Sequence, residues 1–171
     1  MDGSIKLSMR FQYYLVAVLI VGVDQIAKLL VRANLGYGQV VEIIPGYLRL
    51  SLVRNTGVAF GIFDNIQSVW KPYILAAMAI VALTVIVFYS ARVPRDRILI
   101  QVALAMTMGG ILGNFLDRVV RGYVIDFIEF HIHESFYWPN FNIADSSITV
   151  GIALLLIDTV IHPNVEEVTE Q

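Results

Sequence analysis

The 171-residue sequence contains no cysteine and few charged residues. The absence of cysteine excludes disulfides, thiol nucleophiles and thiolate metal sites. Charged residues make up 15% of the chain, whereas soluble domains carry about 25%. The formal net charge of −2 offers no basic surface for nucleic acid, so no nucleic-acid partner is expected. Hydrophobic residues reach 57%, which is too apolar for a domain surrounded by water.

Four apolar stretches have the length of a membrane-spanning helix. A helix needs about 20 residues to cross the hydrocarbon core of a bilayer. We therefore predict an all-α polytopic membrane protein, built as a single domain over residues 1–171. The first stretch contains Asp24 and Lys28 and lacks a small-residue cleavage pattern, so we predict a retained helix and not a cleaved signal peptide. The four predicted transmembrane helices cover about residues 11–33, 72–91, 98–116 and 143–161.

Basic residues are densest before the first apolar stretch and between the second and third. Lys6 and Arg10 precede the first stretch, and three arginines lie within residues 92–97. Short loops rich in Lys and Arg stay on the cytoplasmic side of a membrane. Both termini and the 92–97 loop are therefore predicted to be cytoplasmic. Residues 34–71 and 117–142 then face outward, which is the periplasm if this is a bacterial inner membrane.

The first outward segment is predicted to hold a small β-sheet and a short helix. Residues 39–54 favour two strands joined at Pro45-Gly46, because leucines alternate with polar residues from 48 to 52. In the run DNIQSVWK at 64–71, apolar residues recur at helical spacing and end in Trp70. That pattern predicts a short interfacial helix, and the alternative is an ordinary loop with one aromatic anchor.

Polar residues also occur within the predicted spans. Asp24 and Lys28 lie four apart on one helix face, where they form either a self-contained ion pair or the support of a polar cavity. Gly109 and Gly113 form a G-x-x-x-G pattern, which lets another helix or a substrate backbone approach closely. Asp117, with the arginine that follows it, is predicted to end the third helix.

Two further aspartates lie where a charge is costly. Asp126 is flanked by apolar residues, so it needs a hydrogen-bond donor or its pKa rises. Asp145 follows Asn142 by three residues, which predicts a capping box at the start of the fourth helix. The helix dipole would favour charge on Asp145, which leaves Asp126 as the protonated member. Two such carboxylates at one membrane surface can activate water for peptide hydrolysis.

Other chemistries remain open at this point. Glu129, His131 and His133 would share one face of a strand and resemble a metal site, although no further histidine lies nearby, and no metal is expected. Ser146 or Ser147 paired with a histidine would give a serine hydrolase, but the G-x-S-x-G pattern is absent. A proton-coupled carrier is the main alternative to a protease, although a carrier needs polar groups at the membrane midplane.

Four motifs resemble those of the lipoprotein signal peptidases, also called signal peptidase II. The resemblance covers nearly the whole chain in order and spacing. Val58 stands where the family more often has alanine, and it adds bulk beside the expected peptide path. The motifs are DQIAK at 24–28, NTGVAF at 55–60, GNFLDRVVRGYVIDF at 113–127 and FNIADSSITVG at 141–151.

The resemblance implies a four-helix inner-membrane aspartyl endopeptidase without metal or cofactor. Such an enzyme removes signal peptides from diacylglyceryl-modified bacterial prolipoproteins, cutting on the amino side of the lipidated cysteine. It works among membrane lipids and is blocked by globomycin-type cyclic peptides, and we expect a monomer. The 39–70 segment would enclose the substrate. The implied catalytic pair is Asp126 and Asp145, and the implied supporting residues are Asn55, Gly57, Asn114, Arg118, Asn142, Asp24 and Lys28.

Overall fold

Four long helices make up most of the described chain. The computed structural model describes residues 3–57 and 68–162, with side chains from residue 11 onward. Within these ranges, four helices are long and apolar enough to cross a membrane, with hydropathy between 1.7 and 2.5 over the spanning windows. This confirms the predicted polytopic, mostly helical membrane protein. The helices are α1 (Gly3–Asn34), α2 (Lys71–Arg92), α3 (Ile98–Arg121) and α4 (Ile143–Ile161).

Helix α3 forms the centre of the bundle and packs against α1, α2 and α4. Its spanning window is 56% buried, whereas that of α2 is 11% buried, as expected for a helix that faces lipid. Glycines on α3 make the close contacts possible. A Cβ atom on Gly110 would lie 2.3 Å from the Ala144 carbonyl oxygen of α4, and one on Gly113 would lie 2.9 Å from the Asp24 carboxylate of α1. Close packing between helices therefore accounts for the glycine pattern.

A small antiparallel sheet lies at the end of the bundle where α1 and α3 finish and α4 begins. Its strand order follows the chain, β1-β2-β3-β4. The two strands predicted within residues 39–54 are confirmed as β1 and β2, and Gly46 at their turn has a φ of 79°. The strands are β1 (Val40–Ile44), β2 (Leu48–Asn55), β3 (Val124–Ile132) and β4 (Phe136–Tyr137).

The sheet packs on the bundle through a cluster of buried apolar side chains. Val31 of α1 belongs to one buried cluster with Leu52 of β2 and with Ile125 and Phe127 of β3. Burial of such side chains contributes roughly 1.5–3 kcal/mol each. The first residues of β3, which include Asp126, are thereby held against the helices.

Two predictions about element boundaries have different outcomes. The prediction that Asp117 and Arg118 end the third helix was wrong, because α3 continues to Arg121 and stops at Gly122, which adopts the left-handed conformation with a φ of 79°. Both residues therefore project from the last turns of α3. The interfacial helix predicted at 64–71 falls largely outside the described residues, of which 68–70 form a turn that leads into α2.

Candidate active site

Asp126 lies near the start of β3 and is 2% exposed. Its two carboxylate oxygens accept hydrogen bonds from two amide groups. Asn55 Nδ2 donates to Oδ2 at 2.8 Å, and Asn142 Nδ2 donates to Oδ1 at 2.7 Å. Asn55 ends β2 opposite Val124, so the pairing of β2 with β3 brings it to the aspartate. Gly57 N donates to Asn55 Oδ1 at 2.8 Å and fixes the orientation of the Asn55 amide.

Asp145 lies in the first turn of α4, where Asn142 is the N-cap residue. Asp145 N donates to Asn142 Oδ1 at 2.9 Å, and Asn142 N donates to Asp145 Oδ2 at 3.2 Å. These reciprocal hydrogen bonds confirm the predicted capping box. The other oxygen of Asp145, Oδ1, accepts from Asn114 Nδ2 on α3 at 2.7 Å. The carboxylate is therefore fixed by its own helix end and by the neighbouring helix.

Asn142 is shared by both aspartates, since its side chain donates to Asp126 while its backbone N–H donates to Asp145. The structure thus brings the two carboxyl groups into one site. Burial, first, and the nearby negative charge of Asp145, second, together raise the pKa of Asp126 to about 7. Hydrogen bonds from the Asn55 and Asn142 amides lower the pKa of Asp126, because they stabilise its ionised form. The effect of burial on the pKa is larger.

A buried cation lies behind the pair. Lys28 is fully buried, and its Nζ lies 2.7 Å from Asp24 Oδ2, 2.9 Å from Asp117 Oδ2 and 3.1 Å from Asn114 Oδ1. An ammonium group only donates hydrogen bonds. The carbonyl oxygen of Asn114 must therefore face Lys28, which turns the NH₂ group of Asn114 towards Asp145. The ion pair of Asp24 and Lys28 thus also orients a side chain of the site.

The two acids that pair with Lys28, Asp24 and Asp117, also hold the backbone next to Asp145 and Asp126. Asp24 Oδ1 accepts a hydrogen bond from Ala144 N at 3.0 Å, one residue before Asp145. Asp117 Oδ2 accepts from Ile125 N at 3.2 Å, one residue before Asp126. This role of Asp117 was not predicted from the sequence. Asp117 and Arg121 form an ion pair, and their i, i+4 spacing is the sequence pattern that could have indicated it.

Arg118 connects α3 to the turn that follows β2. Its Nη2 donates to the Gly57 carbonyl oxygen at 2.8 Å, and its Nη1 donates to the Asn114 carbonyl oxygen at 3.3 Å. Arg118 and Gly57 therefore fix the turn that carries Asn55. All nine residues singled out from the sequence belong to one connected network around the two aspartates.

A pocket with a volume of about 550 Å³ opens beside Asp145. Its walls are mostly apolar, and it lies between α4 and the segment that joins β4 to α4. Ile152, on the α4 side, is 47% exposed, so the pocket is continuous with the surface that faces lipid. The lining residues include Asn55, Trp138, Asn140, Phe141, Ser146 and Thr149.

The histidines and serines near the site do not form the alternative centres. His131 Nδ1 bonds with the His133 carbonyl oxygen at 2.9 Å, and its ring stacks on Tyr137. Across residues 3–57 and 68–162, no group of three or more His, Asp or Glu side chains is placed to hold a metal ion. The hydroxyl groups of Ser146 and Ser147 donate to backbone carbonyl oxygens at 2.9 Å and not to a histidine.

Residues 16–161 match the family model described as signal peptidase (SPase) II. The chain belongs to the signal peptidase II family. It is 42% identical to the lipoprotein signal peptidase of Ectopseudomonas mendocina (strain ymp), over 85% of this chain and 86% of that protein. It is 36% identical to that of Francisella tularensis subsp. novicida (strain U112), over 86% of this chain and 90% of that protein.

The fold is also similar to that of a solved bacterial membrane enzyme determined by the in meso method. The TM-score is 0.80 at 33% sequence identity, and the match covers 94% of each chain. A second structure with the same description has a TM-score of 0.77 at 35% identity and covers 87% of this chain and 92% of that one. With its four spanning helices, this signal peptidase II family member is a multi-pass membrane peptidase that acts on the signal peptides of lipoproteins.

Proposed function

We propose that this peptidase is an aspartyl endopeptidase whose catalytic residues are Asp126 and Asp145. The observation that carries the proposal is that Asn142 contacts both carboxyl groups within one buried, polar site. Two acids held so close do not both ionise readily, so they share a proton near neutral pH. Asn55, Gly57, Asn114, Arg118, Asn142, Asp24 and Lys28 support this pair.

The environments of the two acids assign their roles. Asp145 accepts a hydrogen bond from the backbone N–H of its N-cap residue Asn142 at a helix N-terminus, where the helix dipole favours negative charge. Its other partner, Asn114, is polarised by the ammonium group of Lys28. Asp145 is therefore the ionised member. Asp126, whose pKa is raised to about 7, is the member that carries the proton.

The reaction then proceeds by general acid–base catalysis without a metal or other cofactor. Ionised Asp145 takes a proton from water as the water oxygen bonds to the scissile carbonyl carbon. Asp126 gives its proton to the carbonyl oxygen, which produces a neutral tetrahedral intermediate. When the C–N bond breaks, Asp145 transfers its proton to the leaving amine and Asp126 recovers a proton from the hydroxyl group. Both acids return to their starting states.

The substrate class follows from the family and from the pocket. Prolipoproteins carrying a diacylglyceryl group on cysteine present an apolar segment at the membrane surface, which matches the apolar pocket beside Asp145. Cleavage falls on the amino side of the lipidated cysteine. Globomycin-type cyclic peptides compete for the same pocket. The protein acts as one domain, as a monomer among membrane lipids.

The site faces the periplasm of a bacterial inner membrane in this proposal. The sheet and both aspartates lie at one end of the bundle, and the arginine-rich 92–97 loop lies at the other. Because Lys and Arg favour the cytoplasmic side, we infer that both termini lie in the cytoplasm. Lipidated precursors would then meet the site at the outer leaflet.

The decisive experiment compares a diacylated precursor with the same precursor lacking the lipid, using the purified protein in detergent. We expect cleavage of the lipidated form alone. Asp126→Asn and Asp145→Asn should each lower the rate by at least about a hundredfold, since each removes a proton-transfer group. Asp158→Asn is the matched control, because Asp158 is a buried acid at the opposite end of α4 and pairs with Arg97. Substantial cleavage by either dyad variant would remove the aspartyl mechanism.

A further inference from the structure

The pocket beside Asp145 contains few polar groups that a substrate could use. A peptide that enters an apolar pocket loses water from its backbone N–H groups, and each of these then needs an acceptor. The polar side chains of the lining therefore determine which backbone positions are satisfied. This inference rests on the proposed function, since it concerns the peptide that the aspartates cleave.

Most polar side chains of the lining are already bonded within the protein. Ser146 Oγ donates to the Asn142 carbonyl oxygen and Thr149 Oγ1 donates to the Asp145 carbonyl oxygen, both at 2.9 Å. Asn55 donates to Asp126 and accepts from Gly57. These hydrogen bonds hold the site together, and the Ser146 and Thr149 hydroxyl oxygens, which donate, keep only their acceptor lone pairs.

Asn140 is different because, among the described residues, only the NH₂ end of its amide group is hydrogen-bonded. Its Nδ2 donates to Ser51 Oγ on β2 at 2.6 Å. Ser51 directs its own proton towards Glu129, a carboxylate that is held by Arg49 and can only accept. Ser51 must therefore accept from Asn140, which fixes the NH₂ group on the side of the sheet. The side-chain carbonyl oxygen of Asn140 accepts no hydrogen bond from the described residues.

The backbone around Asn140 is tied to the strand that bears Asp126. The carbonyl oxygen of the next residue, Phe141, accepts from Phe127 N at 3.0 Å and from Ile128 N at 2.9 Å. Asn140 is half-buried in the pocket wall, on the segment that leads directly to Asn142 and Asp145. Its free oxygen is thus held at a fixed position relative to both aspartates.

We propose that the side-chain carbonyl oxygen of Asn140 accepts a hydrogen bond from one backbone N–H of the extended substrate peptide. Asn140 is thereby a residue that determines substrate affinity and fixes the position of the peptide along the pocket. It does not touch the reacting atoms. Its removal changes how tightly the peptide binds before and during the reaction, and leaves the proton transfers of Asp126 and Asp145 intact.

The test uses a series of lipidated peptides in which one backbone N–H at a time is replaced by an ester oxygen. With the wild-type enzyme, one replacement should raise KM by roughly three- to tenfold, the effect of losing one hydrogen bond to a neutral group. Asn140→Ala should raise KM for the unmodified peptide by the same factor, with kcat within about twofold, as expected for uniform binding. For Asn140→Ala, replacing that same N–H by an ester oxygen should not raise KM any further.

The control is Asn34→Ala, because Asn34 is an exposed asparagine that donates only to its own helix at Leu30. It should leave KM unchanged for every peptide. A structural role for Asn140 would instead lower the unfolding temperature and change kcat, without dependence on the position of the ester. Equal ester penalties in wild type and Asn140→Ala would overturn the inference. Fluorescence anisotropy with labelled peptides compares the same binding affinities without turnover. Failure of the wild type to cleave any lipidated peptide would overturn the proposed function and would not by itself test the role of Asn140 in binding.

Discussion

At the scale of single residues, the site is organised by asparagine side chains. Asn55, Asn114 and Asn142 each place an NH₂ group 2.7 to 2.8 Å from a carboxylate oxygen. An amide does not titrate near neutral pH, so these hydrogen bonds persist while the aspartates change charge. The pH dependence of the enzyme should therefore come from the aspartates themselves.

The raised pKa of Asp126 predicts the direction of the pH profile. If Asp126 must be protonated, activity should decline as pH rises through about 7. The folded state binds this proton more tightly than the unfolded chain, so stability should also decline between about pH 4 and pH 7. Rates on a lipidated precursor and unfolding temperatures in detergent, measured from about pH 4 to pH 9, check both.

The variant Asp126→Asn provides the control for that profile. An amide side chain does not lose a proton, so the decline in unfolding temperature should flatten in this variant. Activity that rises through pH 7 in the wild type would instead make Asp126 the base and reverse the two roles.

Asp117 should matter for stability more than for chemistry. Asp117→Asn removes the charge that faces Lys28 and Arg121, and breaking a buried ion pair costs about 3–5 kcal/mol. The unfolding temperature should therefore fall clearly. The rate per folded molecule should fall less than in either dyad variant, because Asp117 does not touch the reacting atoms. Asp96→Asn, at an exposed acid in the 92–97 loop, should change neither quantity.

Spacing along the chain predicts residues that act through local structure, whereas residues that act across the fold were identified through the family motifs or, like Asp117, were missed. The capping box of Asn142 and Asp145 depends on a separation of three residues along one helix. Asp117 depends on Lys28 and Ile125, which belong to different elements. Only tertiary packing brings those partners together. The sequence pattern therefore predicted only that Asp117 ends the third helix.

At the scale of elements, the contact between α3 and α4 positions Asp145. Gly110→Ala would place a Cβ atom 2.3 Å from the Ala144 carbonyl oxygen, so α4 must move away from α3. We expect a loss of about 1–3 kcal/mol from overpacking. A shift of about 1 Å in Asp145 would lower the rate by roughly a hundredfold. Unfolding temperature and rate on a lipidated precursor measure the two effects.

The matched control for this contact is Gly22→Ala on α1. No atom lies within 4 Å of a Cβ atom built on Gly22, so the variant adds a methyl group without a collision. It should retain activity and unfold at the same or a slightly higher temperature, because alanine favours helix. A large loss of activity or of stability in Gly22→Ala as well would mean that the bundle tolerates no added side chain. The effect of Gly110→Ala could then not be attributed to the contact between α3 and α4.

The elements themselves were largely predictable because the membrane imposes their length. The predicted spans agree closely with α2, with α4 and with the membrane-spanning part of α1, Phe11–Asn34, although α1 itself begins at Gly3. The end of α3 was not predicted, because its last turns carry Asp117, Arg118 and Arg121. Asp117 pairs with Lys28 and Arg121, and Arg118 donates to backbone carbonyl oxygens, so hydropathy could not reveal that the helix continues.

At the scale of the whole molecule, the orientation in the membrane is testable with single cysteines. Because the sequence has no cysteine, each introduced thiol is a unique label. Glu134→Cys, at the turn between β3 and β4, should react with an impermeant reagent added to the periplasmic side. Asp96→Cys should react only after permeabilisation. The reverse pattern would separate the site from lipidated precursors at the outer leaflet.

The cluster around Lys28 also has a consequence for biosynthesis. Asp24 and Lys28 leave the ribosome on the first helix, while Asp117 and Ala144 arrive with the third and the fourth. Until then the Lys28 ammonium lacks its partner Asp117, and the opposite charges of Asp24 and Lys28 lower the penalty of entering the bilayer. Under the proposed mechanism, the nascent chain cannot hydrolyse a peptide until α4, which carries Asp145, is inserted.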